Sequence, residues 1–172
     1  MASARELLRA RQTRRTGSDH RHRLAGLARR DDRVEVAVAE RVVGDLPLDL
    51  LDGDRLVIDV RGKGAGYTVR YVSAVVGTSG LATPLRGGAD IQVTVNAPAQ
   101  DGRGNATYRP AVRSEAVNVA GFTTFRQVAY VDSFESRTTF GLGVRARLPF
   151  RVFSLDGPGT SSRLVIDVAH RW

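Results

Sequence analysis

Asp132 and Glu135, three residues apart in Asp132-Ser133-Phe134-Glu135, could be drawn as the paired carboxylates of a glycoside hydrolase. Acidic residues in such a stretch are ordinarily turn formers, and a turn is the plainer reading. Gly62-Lys63-Gly64-Ala65-Gly66 has the composition of a phosphate-cradling loop. It leads into a strand-type sequence at Tyr67, so the helix N-terminus that such loops need is absent. A sharp strand-to-strand turn with Lys63 as a surface charge is the simpler expectation. A Ser-His-Asp hydrolase needs a histidine within the folded region, and only His170 qualifies, two residues from the chain end. There is no G-x-S-x-G elbow. His20 and His22, beside Asp19, could hold a metal weakly, but the neighbouring arginines repel a cation. The reading is therefore non-enzymatic, with no catalytic residue, no metal and no cofactor.

Arginines beside aromatic rings give a better clue, because a ring next to a guanidinium can hold a sugar or an anionic polymer. Simple alternation puts Tyr130 on one strand face with Arg126, and Phe153 on one with Arg151. Arg70 falls on the wet face of a third strand. Arg70, Arg126, Tyr130 and Arg151 are the candidate ligand-binding residues. The competing reading buries Phe150 and Phe153 in the core and leaves the arginines merely solvated.

These side chains must be positioned by a scaffold, and the composition says which kind. The 172 residues are 42% hydrophobic and 26% charged, close to the average for a folded domain. No apolar run approaches the ~20 residues that cross a bilayer, and the first residues lack an export-type hydrophobic stretch. The absence of cysteine excludes a disulfide framework, a thiolate metal site and a lipid-modified cysteine anchor. The formal charge of +8 is unevenly placed: residues 1–30 carry nine arginines against Glu6 and Asp19, a net +7, which leaves +1 for the other 142 residues. The expected organisation is thus a basic tail over 1–30 and a nearly neutral domain over 31–172. The tail is read as disordered or briefly helical, since Ser3 and Glu6 match a capping box for a helix over about residues 3–14. It could bind nucleic acid or an anionic surface through charge alone, having no aromatic residue for base stacking.

From Asp31 onward the pattern alternates. Val34–Val38, Arg55–Val60, Tyr67–Tyr71 and Ile91–Val95 read as strands, and Asp52-Gly53 separates Leu48–Leu51 from Arg55–Val60 as a tight hairpin or strand-entry turn. A long loop follows over 97–113, containing an Asn105-Ala106-Thr107 sequon. Thr123–Val131, Arg137–Val144, Phe150–Leu155 and Arg163–Val168 read as four further strands, separated by Asp132-Ser133, Pro149 and Asp156-Gly157-Pro158. Helix should be scarce outside the tail. The fold class is all-β, a sandwich or barrel of short strands.

One hexapeptide occurs twice: Arg55-Leu56-Val57-Ile58-Asp59-Val60 and Arg163-Leu164-Val165-Ile166-Asp167-Val168. Such identity suggests two related half-domains with an internal pseudo-repeat. If the copies lie side by side and antiparallel, Arg55 opposes Asp167 and Asp59 opposes Arg163, giving two cross-strand ion pairs. Placement of the copies in different sheets would refute that arrangement.

The ending Pro149-Phe150-Arg151-Val152-Phe153-Ser154-Leu155-Asp156-Gly157-Pro158, followed by the second hexapeptide, resembles the closing motif of AMIN and AMIN-like domains. Asp54–Val60 and Gly66–Val72 are similar to the opening of the actinobacterial AMIN-like group, and Phe140-Gly141-Leu142-Gly143 to its glycine-containing strand. The resemblance covers about residues 33–170. It implies a β-sandwich of two related sheets, in proteins usually exported or lipid-anchored. It also implies a non-catalytic module that localises cell-envelope partners and is associated with peptidoglycan. The expected partner is a cell-wall glycan or an envelope protein. In this chain an arginine-rich arm stands where the family would carry a signal peptide or lipobox, and the Val38–Leu56 connection is longer than the family's opening.

Overall fold

The computed structural model describes residues 34–37 and 52–172. The segment Leu48–Leu51, the expected short helix over 3–14, and His20 and His22 lie outside the described residues. The described residues hold ten strands: β1 (Val34–Ala37), β2 (Gly53–Arg61), β3 (Tyr67–Val72), β4 (Val75–Val76), β5 (Ala82–Thr83), β6 (Ala89–Val95), β7 (Phe125–Phe134), β8 (Arg137–Val144), β9 (Phe150–Asp156) and β10 (Ser161–Ala169). The helical content of the described residues is a single 3-10 turn at Arg113–Glu115.

The strands form two four-stranded antiparallel sheets, ordered β1-β2-β10-β9 and β3-β6-β8-β7, with β4 and β5 as a separate small hairpin. Period-2 alternation drives this arrangement, because each sheet must bury one face. In the first sheet Leu56, Ile58 and Val60 of β2 and Leu164, Ile166 and Val168 of β10 point inward. They meet Ile91, Val93, Val95, Val128, Phe140, Leu142 and Val144 of the second sheet in one continuous core. Each such fully buried aliphatic or phenyl side chain contributes about 1.5–3 kcal/mol over leaving it in water. The all-β, two-sheet sandwich is therefore the fold this patterning dictates.

The two hexapeptide copies are neighbours in one sheet, antiparallel, with Arg55 opposite Asp167 and Asp59 opposite Arg163. The repeat is thus a strand pair within a sheet, and it does not relate one sheet to the other. The long segment after β6 likewise joins two strands of the same sheet, β6 and β7, instead of separating two halves.

Two local expectations are corrected. Asp132 and Ser133 lie inside β7, and the turn falls at Glu135 and Ser136, with φ of 45° and 62°. Composition pointed to Asp132 because neither turn residue is a glycine or asparagine. Along β7 the alternation is also broken at two places, between Phe125 and Gln127 and between Tyr130 and Asp132. Arg126 and Val131 are the extra residues, so face assignments by simple counting fail there.

Candidate functional site

The outward face of the first sheet is built by the alternate residues of three strands. Register sets them in three rows: Arg55–Asp167–Arg151, Val57–Val165–Phe153 and Asp59–Arg163–Leu155. In the first row Arg55 donates from Nε to Asp167 Oδ1 (2.6 Å) and from Nη2 to Oδ2 (2.9 Å), a bidentate pair. Arg151 Nε donates to the same Oδ2 at 2.8 Å. Burial pushes the Asp167 carboxyl upward, but the hydrogen bonds and charges of Arg55 and Arg151 outweigh it and hold the group below the usual range. In the third row Arg163 Nε donates to Asp59 Oδ1 at 2.9 Å, both side chains being well solvated.

The middle row is apolar. Val165 is 2% exposed although it faces outward, between Val57 and Phe153. The Phe153 ring has the guanidinium carbon of Arg151 at 5.4 Å and that of Arg55 at 5.9 Å from its centroid. Phe150, by contrast, turns inward and meets Tyr71 edge-on at 5.4 Å. The reading that buries both phenylalanines holds for Phe150 and fails for Phe153. The face thus offers a ring and guanidinium donors. That is a surface for stacking a sugar and hydrogen-bonding an anionic or hydroxyl-rich polymer.

The opposite sheet is partly covered by its own chain. Residues 73–88 cross its outward face, laying Val75 and Leu85 on β8 at Gly141 and Gly143. A Cβ on Gly141 would lie 2.9 Å from Leu85 Cδ1, and one on Gly143 would collide with the Arg86 carbonyl. The glycine-containing strand is therefore what lets the strap lie flat. Gln92 Oε1 accepts the Val76 N–H (3.1 Å), Gln127 Oε1 the Arg86 N–H (2.7 Å), and Asp132 Oδ2 both the N–H and the hydroxyl of Thr78 (2.6 Å each). Asp132 is a fastener of this strap, while Glu135 stands exposed in the turn.

The four residues singled out from sequence are not gathered. Arg151 lies on the open face just described. Arg70 is exposed on β3, opposite Gln92 on the second sheet. Arg126, bulged out of register, donates from Nη1 to the carbonyls of Phe125 (3.0 Å) and Phe122 (3.4 Å). Tyr130 turns inward against Tyr108 and Phe140, ring centroids 5.4 and 5.7 Å away. Its arginine neighbour is Arg113, 4.9 Å above the ring, and not Arg126. Simple alternation missed Arg55, Arg163 and Leu155 as members of one face with Arg151 and Phe153, although the repeated hexapeptide carried the signal for two of them.

His170 closes the end of the sandwich where β2 and β7 start. Its Nε2 lies 2.7 Å from Asp54 Oδ1 and its Nδ1 3.2 Å from Asp52 Oδ1. Buried Asp54 uses Oδ2 to accept the N–H groups of Thr124 (2.5 Å) and Phe125 (3.0 Å). The Thr124 hydroxyl donates to the Ala169 carbonyl, so no nucleophile is presented to the imidazole there. This is a latch tying the chain end to both sheets. Among the described residues no group of three or more His, Asp or Glu side chains is arranged to hold a metal ion. The sequon loop is self-contained, Asn105 donating from Nδ2 to Asp101 Oδ2 at 3.0 Å. Among the described residues, no helix is long and apolar enough to cross a membrane.

The family model of the AMIN-like domain matches residues 52–170, from the residue before β2 to the histidine latch. No curated protein and no solved structure matches the chain.

Proposed function

The chain belongs to the AMIN-like domain family, and on that premise we propose that it is a non-catalytic module that binds peptidoglycan or another envelope glycan through the outward face of β2, β10 and β9. Membership of the family already points to an envelope-associated module of the binding type. The observation that carries the finer reading is the contrast between the two sheets. One outward face is crossed along β8 by residues 73–88, whereas the other carries the half-buried Phe153 ring with the guanidinium carbons of Arg151 and Arg55 at 5.4 and 5.9 Å and exposed Leu155 beside it. Arg151 supplies a donor and Phe153 the stacking ring; Asp167 fixes both arginines in place. Arg70, Arg126 and Tyr130 lie elsewhere and have no part in this face.

Sedimentation of the full chain with insoluble peptidoglycan tests the reading. Retention that survives physiological salt, and falls about tenfold in Phe153→Ala, the factor that about 1.4 kcal/mol of lost stacking carries, is the expected result. Retention that collapses between ~50 and 200 mM salt and ignores Phe153 would assign binding to the arginines of residues 1–30 instead, as in the nucleic-acid or anionic-surface alternative.

A further inference from the structure

Of the seven large apolar side chains exposed among the described residues, four stand at one end of the sandwich, while Val76, Val112 and Trp172 lie elsewhere. Asp54 of β2 bonds to the backbone that opens β7, so the starts of these strands share one end of the sandwich and their finishes share the other. At the finishing end stand Tyr67 (40% exposed), Leu81 (74%), Phe134 (56%) and Leu155 (48%). Tyr67 pairs with Val95 and Val95 with Thr138, at the finish of β6. Phe134 faces Arg137 across the β7–β8 turn. Leu81 follows the β4–β5 turn, which is tethered through Thr78 to Asp132, two residues before Phe134.

These residues form no groove. Leu81 and Phe134 stand on separate turn tips, and both tips are stiff. The β7–β8 turn is the two-residue left-handed Glu135–Ser136 bend, and the β4–β5 turn is closed by the Gly80 N–H donating to the Gly77 carbonyl at 3.1 Å and pinned through Thr78 to Asp132. The ordering cost of presenting the tips is thus met within the fold. Exposed Lys63, Arg103 and Arg137 surround them, against exposed Glu135 and Asp156. Apolar side chains that protrude singly, with long cationic side chains around them, match a headgroup–acyl boundary: the rings and branches enter the acyl edge and the cations meet phosphate.

We propose that this end of the sandwich, led by Leu81 and Phe134 and rimmed by Lys63, Arg103 and Arg137, docks on the surface of an anionic phospholipid bilayer. Leu155 borders the glycan face as well, but Leu81 and Phe134, which lead this end, lie outside that face. A module of this design touches lipid with one end while a sheet face stays open to polymer.

The test is flotation of the full chain with vesicles of phosphatidylcholine alone and of phosphatidylcholine with phosphatidylglycerol, in physiological salt. The chain is expected to float with the anionic vesicles. Leu81→Asp or Phe134→Asp should lower its partition about tenfold, and Arg137→Glu about fivefold. Any contribution of the arginines in 1–30 is common to all variants, so the ratios isolate the tips. Because Trp172 is the single tryptophan, Phe134→Trp combined with Trp172→Phe gives an insertion reporter whose emission should move to the blue on these vesicles. Circular dichroism checks that each variant is folded. Failure of the chain to float, flotation indifferent to both tip substitutions, or no shift of the reporter would overturn the proposal. Loss of peptidoglycan sedimentation in the tip variants with flotation intact would also overturn it, assigning the tips to glycan; unchanged sedimentation alongside lost flotation supports it.

Discussion

Arg55 grips both carboxylate oxygens of Asp167, at 2.6 and 2.9 Å, and the two residues are the first and fifth positions of the same hexapeptide in different copies. Antiparallel pairing of like sequences makes that contact twice, at Arg55–Asp167 and at Asp59–Arg163. The two pairs differ in worth. Asp59 and Arg163 are solvated, and such a pair contributes about 0.2–1 kcal/mol. Asp167 is 7% exposed and shared by two arginines, so it anchors the outward face.

That anchor predicts an acid dependence. The folded domain holds Asp167 below its ordinary value, so the unfolded chain takes up a proton first as the solution is acidified. The stabilisation is fully present above the unfolded carboxylate value of about 4 and is lost as pH falls through the lower folded value. Asp167→Asn should cost about 1–3 kcal/mol at neutral pH and flatten the decline in stability on the acid side, measured by urea unfolding across pH.

Gly143 predicts a steric effect. Gly143→Ala drives a methyl group into the Arg86 carbonyl and should cost about 1–3 kcal/mol, with the strap over 73–88 losing amide protection before the core does. Hydrogen exchange resolves the order.

The turn between β7 and β8 should yield the opposite sign. Glu135 and Ser136 hold φ of 45° and 62°, conformations that asparagine and glycine adopt at lower cost. Glu135→Asn with Ser136→Gly should raise the melting temperature by about 3–6 °C. An unchanged or lower midpoint would show that contacts made by the native pair compensate for the backbone.

Asp54 is the costliest position to empty. Asp54→Ala leaves the buried N–H groups of Thr124 and Phe125 and the ring of His170 without their acceptor, a loss of about 2–4 kcal/mol by chemical denaturation.

Much of the scaffold was legible in the sequence, and the reasons are local. Strands such as Arg55–Val60 and Ile91–Val95 keep a strict period of two because one face is buried, and the duplicated Arg–Asp spacing dictated the pairing of β2 with β10. The strap was not legible: β4 and β5 have two residues each, too few for any period, and Gly141 and Gly143 reveal their purpose only against Leu85 and Arg86. Arg126 and Tyr130 were paired by counting, which a single inserted residue defeats. Asp132 has the chemistry of a turn former, while the actual bend puts Glu135 and Ser136, neither a glycine nor an asparagine, in the left-handed region. Phe153 was undecided because inward and outward phenylalanines have the same composition; only registration against Val165 places it outside.

The central claim is that the open face of β2, β10 and β9 is the one that meets glycan. Amide chemical shifts of the full chain, followed by NMR as soluble peptidoglycan fragments are added, test it directly. The account predicts that the perturbed amides cluster at Arg151–Leu155 and Arg163–Asp167, and that Arg151→Glu removes the response. Perturbations confined to the strap over 73–88, to β3 around Arg70 or to residues 1–30, or none at saturating fragment, would contradict it.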